Sequence, residues 1–500
     1  MTRTSKSILW SLCGLVILVI LAIALSVVRQ VHMIKAMKAE AQIVRAGGLP
    51  ESSKKMGDIS VKLEAIRAAG LPRDGKELND YYTAVPDNEN AALVMTQAFA
   101  LMQDFPDNRS SQIANFRIPP RGQALTAGQK QLLASYVGMN SEALTKMREA
   151  IKLPGSRYPI DYSPGFATLL PHLPKLKNLA RIAEYDALLT VGPGHSQYAS
   201  QSIADILGMA KTLENEPLLV PQLVRLAIIA NATQTLEYSL NTTSFDETEL
   251  SSLGKDFADA ERTNLMARAM IGERAMFIPI LLSSLDWSGM KLIAEQIERG
   301  ENPTTNNLPK LSENIKTNLA RLSEIIKTDA SGIRQGDLRF YLNAMETNIA
   351  LAGLIPPDSL AATNVFEAES KEAKEQHYAV SAFAFSAPQG MSVSPMSGVV
   401  IKEAHCFTII RLATTALAVE RFRLANGKLP ENLNELVPQF LSAVPADPFD
   451  GKPLRYHPLT KGYVVYSVGQ DGHDDGGREK PADWRPGDKT TYDITFTVER

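Results

Sequence analysis

The residues best able to do chemistry in this 500-residue chain are seven histidines and two cysteines, and their spacing matches no catalytic motif. No two histidines have the i, i+4 spacing with an intervening glutamate that a zinc protease helix uses. His405 precedes Cys406, but neighbouring side chains on a helix point about 100° apart, so a thiol–imidazole pair is not expected. His172 lies between two prolines and is expected to be a packed turn residue. The histidines and cysteines therefore predict no catalytic site.

A second group of candidates is charged. Glu273 and Arg274 follow Arg268 and Glu261 in a helical segment that also contains several methionines. Such groups are more often ion-pair networks that stabilise packed helices than catalytic sites. If the protein is an enzyme, its site is assembled from residues far apart in sequence, and Glu273, Arg274 and His172 are the first candidates. The sequence favours a non-enzymatic protein over an enzyme.

The N-terminus contains an apolar segment long enough to anchor the chain in a membrane. Ile8 to Val28 has neither a charged residue nor a proline, and about 20 apolar residues span a bilayer. We predict a single-pass anchor over residues 1–30 in a bacterial cytoplasmic (inner) membrane. Basic residues flank both ends, so the short N-terminal tail, rather than charge, favours a body facing the periplasm or the outside. A cleaved signal peptide, with Ala22 and Ala24 as its small residues, is the alternative.

Composition limits the possible partners. The net charge is -3, whereas a nucleic-acid-binding protein shows a basic excess, so no nucleic-acid partner is expected. One cysteine falls in the predicted anchor and the other is Cys406, so no intramolecular disulfide is expected. The partners predicted are the membrane and unidentified proteins.

The larger part of the chain has a helical period. Residues 31–384 are rich in alanine, leucine, glutamate and lysine, and Leu176, Leu179 and Ala183 illustrate the apolar spacing of one helix face. Glycine followed by proline marks the breaks, as at Gly70-Leu71-Pro72. We predict an irregular helical body over 31–384, followed by a linker over 385–400, where serine, proline, glycine and methionine accumulate.

The last hundred residues show a different pattern. Thr408 to Ala425 reads as a helix that Asn426-Gly427 ends. Tyr463 to Val468 is rich in strand-forming residues, and Thr491 to Val498 alternates apolar and polar residues. The pattern predicts a small α+β module over 401–500, a long helix on a short antiparallel sheet. The fold class expected for the whole chain is mainly α.

Two segments carry a resemblance. The C-terminal segment resembles the globular domain of the type II secretion major pseudopilin, the G component. The shared motifs, in chain order, are Glu420-Arg421-Phe422-Arg423 with Asn426-Gly427, Leu429-Pro430, Leu436-Val437-Pro438, Asp447-Pro448-Phe449, Tyr463 to Gly469 and an acidic glycine loop. Ala65 to Ala98 resembles a segment of large uncharacterised bacterial membrane-anchored proteins. The alternative is ordinary local structure, in which Asp87 or Asn88 caps a helix beginning at Ala91.

The pseudopilin resemblance implies calcium in the acidic glycine loop. The residues at the corresponding places are Ser467, Asp471, Asp474, Asp475 and Asp483. A hard cation takes about six to eight oxygen ligands, which such a loop can supply. The alternative is a solvated acidic turn that binds no metal. The anchor lacks the internal glutamate of a pseudopilin assembly helix, so a pilus-like fibre is not implied.

Three functions are compatible with these observations. The first is a membrane-tethered extracytoplasmic interaction or scaffold protein, with a calcium-stabilised C-terminal module. The second is a hydrolase-like enzyme whose site the sequence does not reveal. The third is a component related to type II secretion, which the pseudopilin resemblance suggests. A fold module alone does not determine function, so the resemblance does not decide between the three.

Overall fold

The structure is a computed structural model that describes residues 51–192, 194–282, 330–364, 396–481, 484, 485, 488 and 490–500. The chain divides into two compact units. Of the described residues, the first comprises 51–78, 271–282, 330–348 and 396, and the second comprises the remainder, within 79–270, 349–364 and 397–500. The predicted anchor over 1–30 lies outside the described residues.

Helices make up most of the described chain. In chain order they are α1 (Glu51–Ala68), α2 (Gly75–Tyr81), α3 (Ala91–Leu101), α4 (Arg109–Asn115), α5 (Ala127–Met139), α6 (Ser141–Ala150), α7 (His172–Thr190), α8 (Ser196–Lys211), α9 (Leu219–Leu240), α10 (Glu247–Ala260), α11 (Leu265–Leu282), α12 (Ala330–Ala352) and α13 (Met396–Asn426). Residues 358–364 are also helical. Short 3-10 turns cover Asp87–Glu89, Gly165–Ala167 and Leu433–Leu436.

Local sequence signals set several helix ends. Gly70 follows α1 with a φ of 69°, and the amide of Leu71 donates to the carbonyl of Ile66 at 3.1 Å. Asn90, rather than Asp87 or Asn88, caps α3 through a hydrogen bond from the amide of Ala92 at 3.1 Å. The predicted cap was therefore wrong, because Asp87 already belongs to a 3-10 turn.

The described part of the first unit contains α1, the C-terminal part of α11 and most of α12. The rings of Phe277 and Tyr341 pack with centroids 4.8 Å apart, and Lys62 forms an exposed ion pair with Glu346 at 3.5 Å. These contacts join α11 to α12 and α1 to α12.

The second unit has a helical core around α7, α8 and α9. The predicted apolar face of α7 is confirmed, since Leu176, Leu179 and Ala183 are all fully buried. Burial of such side chains is the main favourable term in folding. Large tyrosines, among them Tyr136 and Tyr158, complete this core.

The C-terminal sheet has three antiparallel strands in the order β1 (Arg455–Pro458), β2 (Tyr463–Ser467) and β3 (Ile494–Val498). In the antiparallel register, Tyr456 of β1 pairs with Val465 of β2, which pairs in turn with Phe496 of β3. The hydroxyl of Tyr463 donates to the carbonyl of Ala416 at 3.1 Å, so β2 contacts α13. A mainly helical fold with a small antiparallel sheet near the C-terminus is confirmed.

The sheet is covered at its open edge by the helical part of the same unit. Glu237 of α9 accepts a hydrogen bond from the amide of Thr497 at 2.9 Å, and Asn241 donates to the carbonyl of Thr497 at 2.8 Å. The amide of Glu499 donates to Asn241 at 2.7 Å. An edge strand otherwise presents unpaired backbone groups, so these side chains complete the sheet.

Helix α13 begins at Met396, earlier than the predicted start at Thr408, so residues 396–400 of the predicted linker are helical. It ends as predicted, with Gly427 at a φ of 68°. Within the described ranges, no helix has the length and apolar character needed to cross a bilayer.

Candidate functional site

The catalytic candidates named from the sequence do not share a unit. Glu273 and Arg274 lie on the part of α11 that belongs to the first unit, whereas His172 begins α7 in the second. Burial raises the pKa of the Cys406 thiol to about 12, so this cysteine stays protonated near neutral pH. The structure therefore gives these residues no common site within either unit.

His172 instead belongs to a buried polar group around Glu216. The hydroxyls of Tyr82 and Tyr162 each donate to the Glu216 carboxylate at 2.9 Å. Nε2 of His172 lies 3.8 Å from the same carboxylate, and its ring stacks on Tyr158 with centroids 4.3 Å apart. We call these five residues the Glu216 cluster.

Desolvation controls the charges in the Glu216 cluster. Burial raises the pKa of Glu216 to about 7 and lowers the pKa of His172 to about 4. Near neutral pH the imidazole is uncharged, so its contact with Glu216 is not an ion pair. Neither ring nitrogen of His172 has a hydrogen-bond partner among the described residues. The cluster holds a titratable carboxyl group at the centre of the helical core.

A larger opening lies along α8 in the same unit. Its volume is about 650 Å³, and α8 supplies more lining residues than α6, α7, α9 or α10. Charged side chains of both signs line it, namely Arg148, Lys152, Lys211, Arg225, Asp186, Asp205, Glu214, Asp256 and Asp259. We call this opening the charged cleft.

Arg148 is the central basic group of the charged cleft. Its Nε donates to Asp205 at 2.6 Å and its Nη2 to Asp186 at 2.8 Å. Ser202 donates to Asp186 at 2.9 Å, and Gln201 donates to Asp205 at 2.9 Å. Charge-assisted bonds of this kind fix side chains in position, so this part of the cleft is preorganised.

The α10 side of the charged cleft is acidic. Asp256 and Asp259 lie about one turn apart on α10, and burial, together with the charge of Asp259, raises the pKa of Asp256. Arg225 is buried beneath, where Nη2 donates to the carbonyl of Ala260 at 2.6 Å. Its Nε has no hydrogen-bond partner in the described chain.

The charged cleft was not predicted from the sequence, although one signal was present. Asp205 lies between Ile203 and Ile206 in an otherwise apolar stretch of α8, and its side chain is fully buried. A carboxylate is buried only where a cation or several donors compensate it, so its position predicted a partner. The identity of that partner, Arg148, depends on tertiary structure.

The predicted calcium ligands have mixed surroundings. Ser467 is buried and donates to Asp447 at 2.8 Å, whereas Asp471 and Asp474 accept hydrogen bonds from nearby loop amides at 3.0 Å each. Asp475 accepts from Thr491 at 2.8 Å, and its Oδ2 is buried without a partner among the described residues. The fifth predicted ligand, Asp483, lies outside the described residues.

Two aspartates that were not predicted as ligands organise this region. Asp447 is fully buried, accepts from Ser467 and the amide of Val468, and pairs with Arg455 at 2.6 Å. Asp493 accepts from the amides of Asp475 and Gly477. Across the described ranges, no group of three or more His, Cys, Asp or Glu side chains is arranged to hold a metal ion.

Protein-family models, curated proteins and solved structures give no match to this chain. The resemblance of its C-terminal segment to pseudopilins, and of Ala65 to Ala98 to bacterial membrane-anchored proteins, stays a prediction from the residues quoted above.

Proposed function

We propose that this protein is a non-enzymatic, membrane-tethered interaction protein of the bacterial inner membrane, with its body facing the periplasm or outside. The observation that carries the proposal is the charged cleft. It combines the exposed cations Lys152 and Lys211 with an acidic side at Asp256 and Asp259. The ion pairs of Arg148 hold the adjoining part of the cleft in position. Its volume of about 650 Å³ falls within the range of about 300–1,000 Å³ typical of ligand sites.

The chemistry of the cleft favours a polypeptide segment as the partner. Both signs of charge line it, and Ile151 and Leu207 add apolar surface. Complementary charges select a partner that carries both signs, and the acidic side of the cleft suits a lysine or arginine side chain. Such segments are common on protein surfaces, whereas a purely anionic or cationic small molecule would match only one side.

Charge reversal at the acidic side tests the proposal. Full-length protein extracted in detergent should recover a reproducible partner, and Asp256→Lys with Asp259→Lys should abolish recovery. Ser251→Lys with Ser252→Lys is the matched control, because both serines are exposed on the same helix and do not line the cleft. Equal recovery by the cleft and control variants would contradict the proposal, and recovery of pseudopilins would support the secretion-related alternative.

We further propose calcium for the acidic glycine loop, as the pseudopilin resemblance implies. The support is chemical. The candidate ligands offer oxygen atoms, and Oδ2 of Asp475 is buried without a partner in the described chain. Asp474, which pairs only loosely with Arg455 at 3.6 Å, could turn toward a cation.

Thermal unfolding of the full chain with calcium and with a chelator tests this site. One-site linkage predicts about 2.7 kcal/mol of stabilisation at a hundredfold excess over the dissociation constant. Asp475→Asn should remove the calcium response, whereas Asp488→Asn, an exposed aspartate outside the predicted set, should retain it. An unchanged unfolding midpoint in the parent protein would leave the loop as a solvated turn.

A further inference from the structure

A second, smaller opening lies between α7 and α9, away from the residues of the charged cleft. Its volume is about 340 Å³. Lys177, Arg181 and Glu184 form one stripe of α7 along it, and Asn231 and Gln234 of α9 face them. The remaining lining residues are Phe116, Arg117, Ile118, Ala227 and Ile228. We call this opening the basic cleft.

The basic cleft has an excess of cations. Arg117, Lys177 and Arg181 line it together with a single carboxyl group, that of Glu184. None of the three cations forms an ion pair with another residue in the described ranges. Three cations that share one opening repel one another, so an anion bound between them would be stabilised by all three.

Two of these cations are held in position, and Nη1 of Arg117 donates to the carbonyl of Phe116 at 2.7 Å. Nη2 of Arg181 donates to the carbonyl of Ile113 at 3.1 Å and to the hydroxyl of Tyr185 at 2.6 Å. Tyr185 in turn packs edge-on against Phe116, with ring centroids 5.3 Å apart. Ile118 is partly exposed and Ala227 is exposed, so the opening has an apolar surface beside its fixed charge.

We propose that the basic cleft binds a small organic anion, with an acidic head group on Arg117, Lys177 and Arg181. Its apolar body would lie on Ile118 and Ala227. Carboxylates, sulfonates and phosphates share this chemistry. The amides of Asn231 and Gln234 supply neutral donors on the α9 side. Because its lining residues differ from those of the charged cleft, this site is independent of the proposed function.

Glu184 makes binding depend on pH. Burial raises the pKa of Glu184 to about 7, against the opposing effect of Arg181 and Arg117. The groups around it are Lys177, Arg181 and Tyr185 on α7 and Arg117 after α4, while α9 contributes only neutral amides there. Protonated Glu184 does not repel an anion, and ionised Glu184 does.

Binding of benzenesulfonate to the full-length protein in detergent tests the site, because this probe keeps its charge at every pH used. Calorimetric titration should show binding at about pH 6, with an affinity that falls above about pH 7 by at most about tenfold per pH unit. Neutral benzenesulfonamide should bind at least about tenfold more weakly than benzenesulfonate.

Variants make the test specific. Lys177→Glu should weaken benzenesulfonate binding at least about tenfold, while Lys175→Glu, exposed on the same helix but outside the cleft, should leave it within about twofold. Glu184→Gln should keep binding and remove its pH dependence. The proposal would be overturned if the two lysine variants lost equal affinity or if the neutral probe bound tightly. It would also be overturned by a pH dependence retained in Glu184→Gln, or by no benzenesulfonate binding at about 10 mM.

Discussion

Glu216 shows how a single buried carboxyl group organises the helical core. Its two oxygens accept from Tyr82 and Tyr162, which lie far from it in sequence. Its backbone carbonyl also accepts from the side chain of Gln222 at 2.9 Å. Removal of one member of a buried network leaves the others without partners, which costs more than the bond itself contributed.

Glu216→Ala should therefore destabilise the second unit by about 3 kcal/mol, because two buried tyrosine hydroxyls lose their acceptor. Glu216→Gln should cost less, about 1 kcal/mol, because the amide keeps the shape and one acceptor oxygen. Urea unfolding followed by circular dichroism measures the free energy of unfolding of both variants. Equal losses in the two variants would show that the hydroxyls do not depend on this oxygen.

At the scale of elements, the edge of β3 is closed by side chains rather than by another strand. Asn241 makes two hydrogen bonds to the backbone of β3 and its neighbour Glu499. Asn241→Leu should lower stability by about 2 kcal/mol, at about 1 kcal/mol for each lost bond, and speed amide exchange at Thr497 and Glu499. Thr248→Leu, exposed at the start of α10, should leave exchange in β3 unchanged.

The turn between β1 and β2 depends on glycine. Gly462 has a φ of 90°, and a Cβ atom there would overlap the carbonyl of Val498 on β3. Gly462→Ala should therefore separate β3 from the turn and destabilise the sheet by more than about 3 kcal/mol. Gly472→Ala is the control, because it shares a positive φ of 68° but has open space around its Cβ position. The control variant should lose only about 1 kcal/mol of unfolding free energy, as measured by chemical denaturation.

The elements that could be predicted are those whose ends are set locally. Gly70 and Gly427 end their helices in the left-handed conformation that the sequence indicates. The N-cap of α3 could not be predicted from the adjacent residues alone, because Asn90 is also held by hydrogen bonds to the backbone of Arg157. Thr497 belongs to the polar face of the alternating strand but is buried, because Glu237 of α9 binds its backbone amide.

At the scale of the molecule, the C-terminal α+β segment and the helices around α7, α8 and α9 form one compact unit. Arg411 of α13 pairs with Glu261 at 2.5 Å, and Arg421 pairs with Glu247 at 2.7 Å. The sequence predicted both parts, but not these contacts, because ion pairs between residues more than a hundred positions apart leave no local signal. The clefts were missed for the same reason.

Four buried carboxyl groups make stability depend on pH. Burial raises the pKa of Glu184, Glu216 and Glu237 to about 7 and that of Glu403 to about 8. Above the unfolded value of 4.5 the unfolded chain has already lost these protons, whereas the folded protein keeps them up to the raised pKa. Stability therefore falls as pH rises toward about 8, by up to about 1.4 kcal/mol per pH unit and group.

The clearest window for this effect is about pH 6.5 to about pH 8, because the lowered pKa of His172 acts in the opposite direction only below its unfolded value of 6.5. The thermal unfolding midpoint should fall across this window. Glu216→Gln with Glu237→Gln should flatten the dependence. A midpoint that rises with pH in the parent protein would contradict the burial of these groups.

The most direct test of the central claim is photo-crosslinking in cells from a residue that lines the charged cleft. Tyr198 lines it and is 61% exposed, whereas Leu169, 81% exposed in the same unit, lies outside it. A photoreactive residue at position 198 should yield a discrete protein adduct that is lost on Asp256→Lys with Asp259→Lys, and position 169 should yield none. The same adduct from both positions, or no adduct from position 198, would contradict a partner in the cleft.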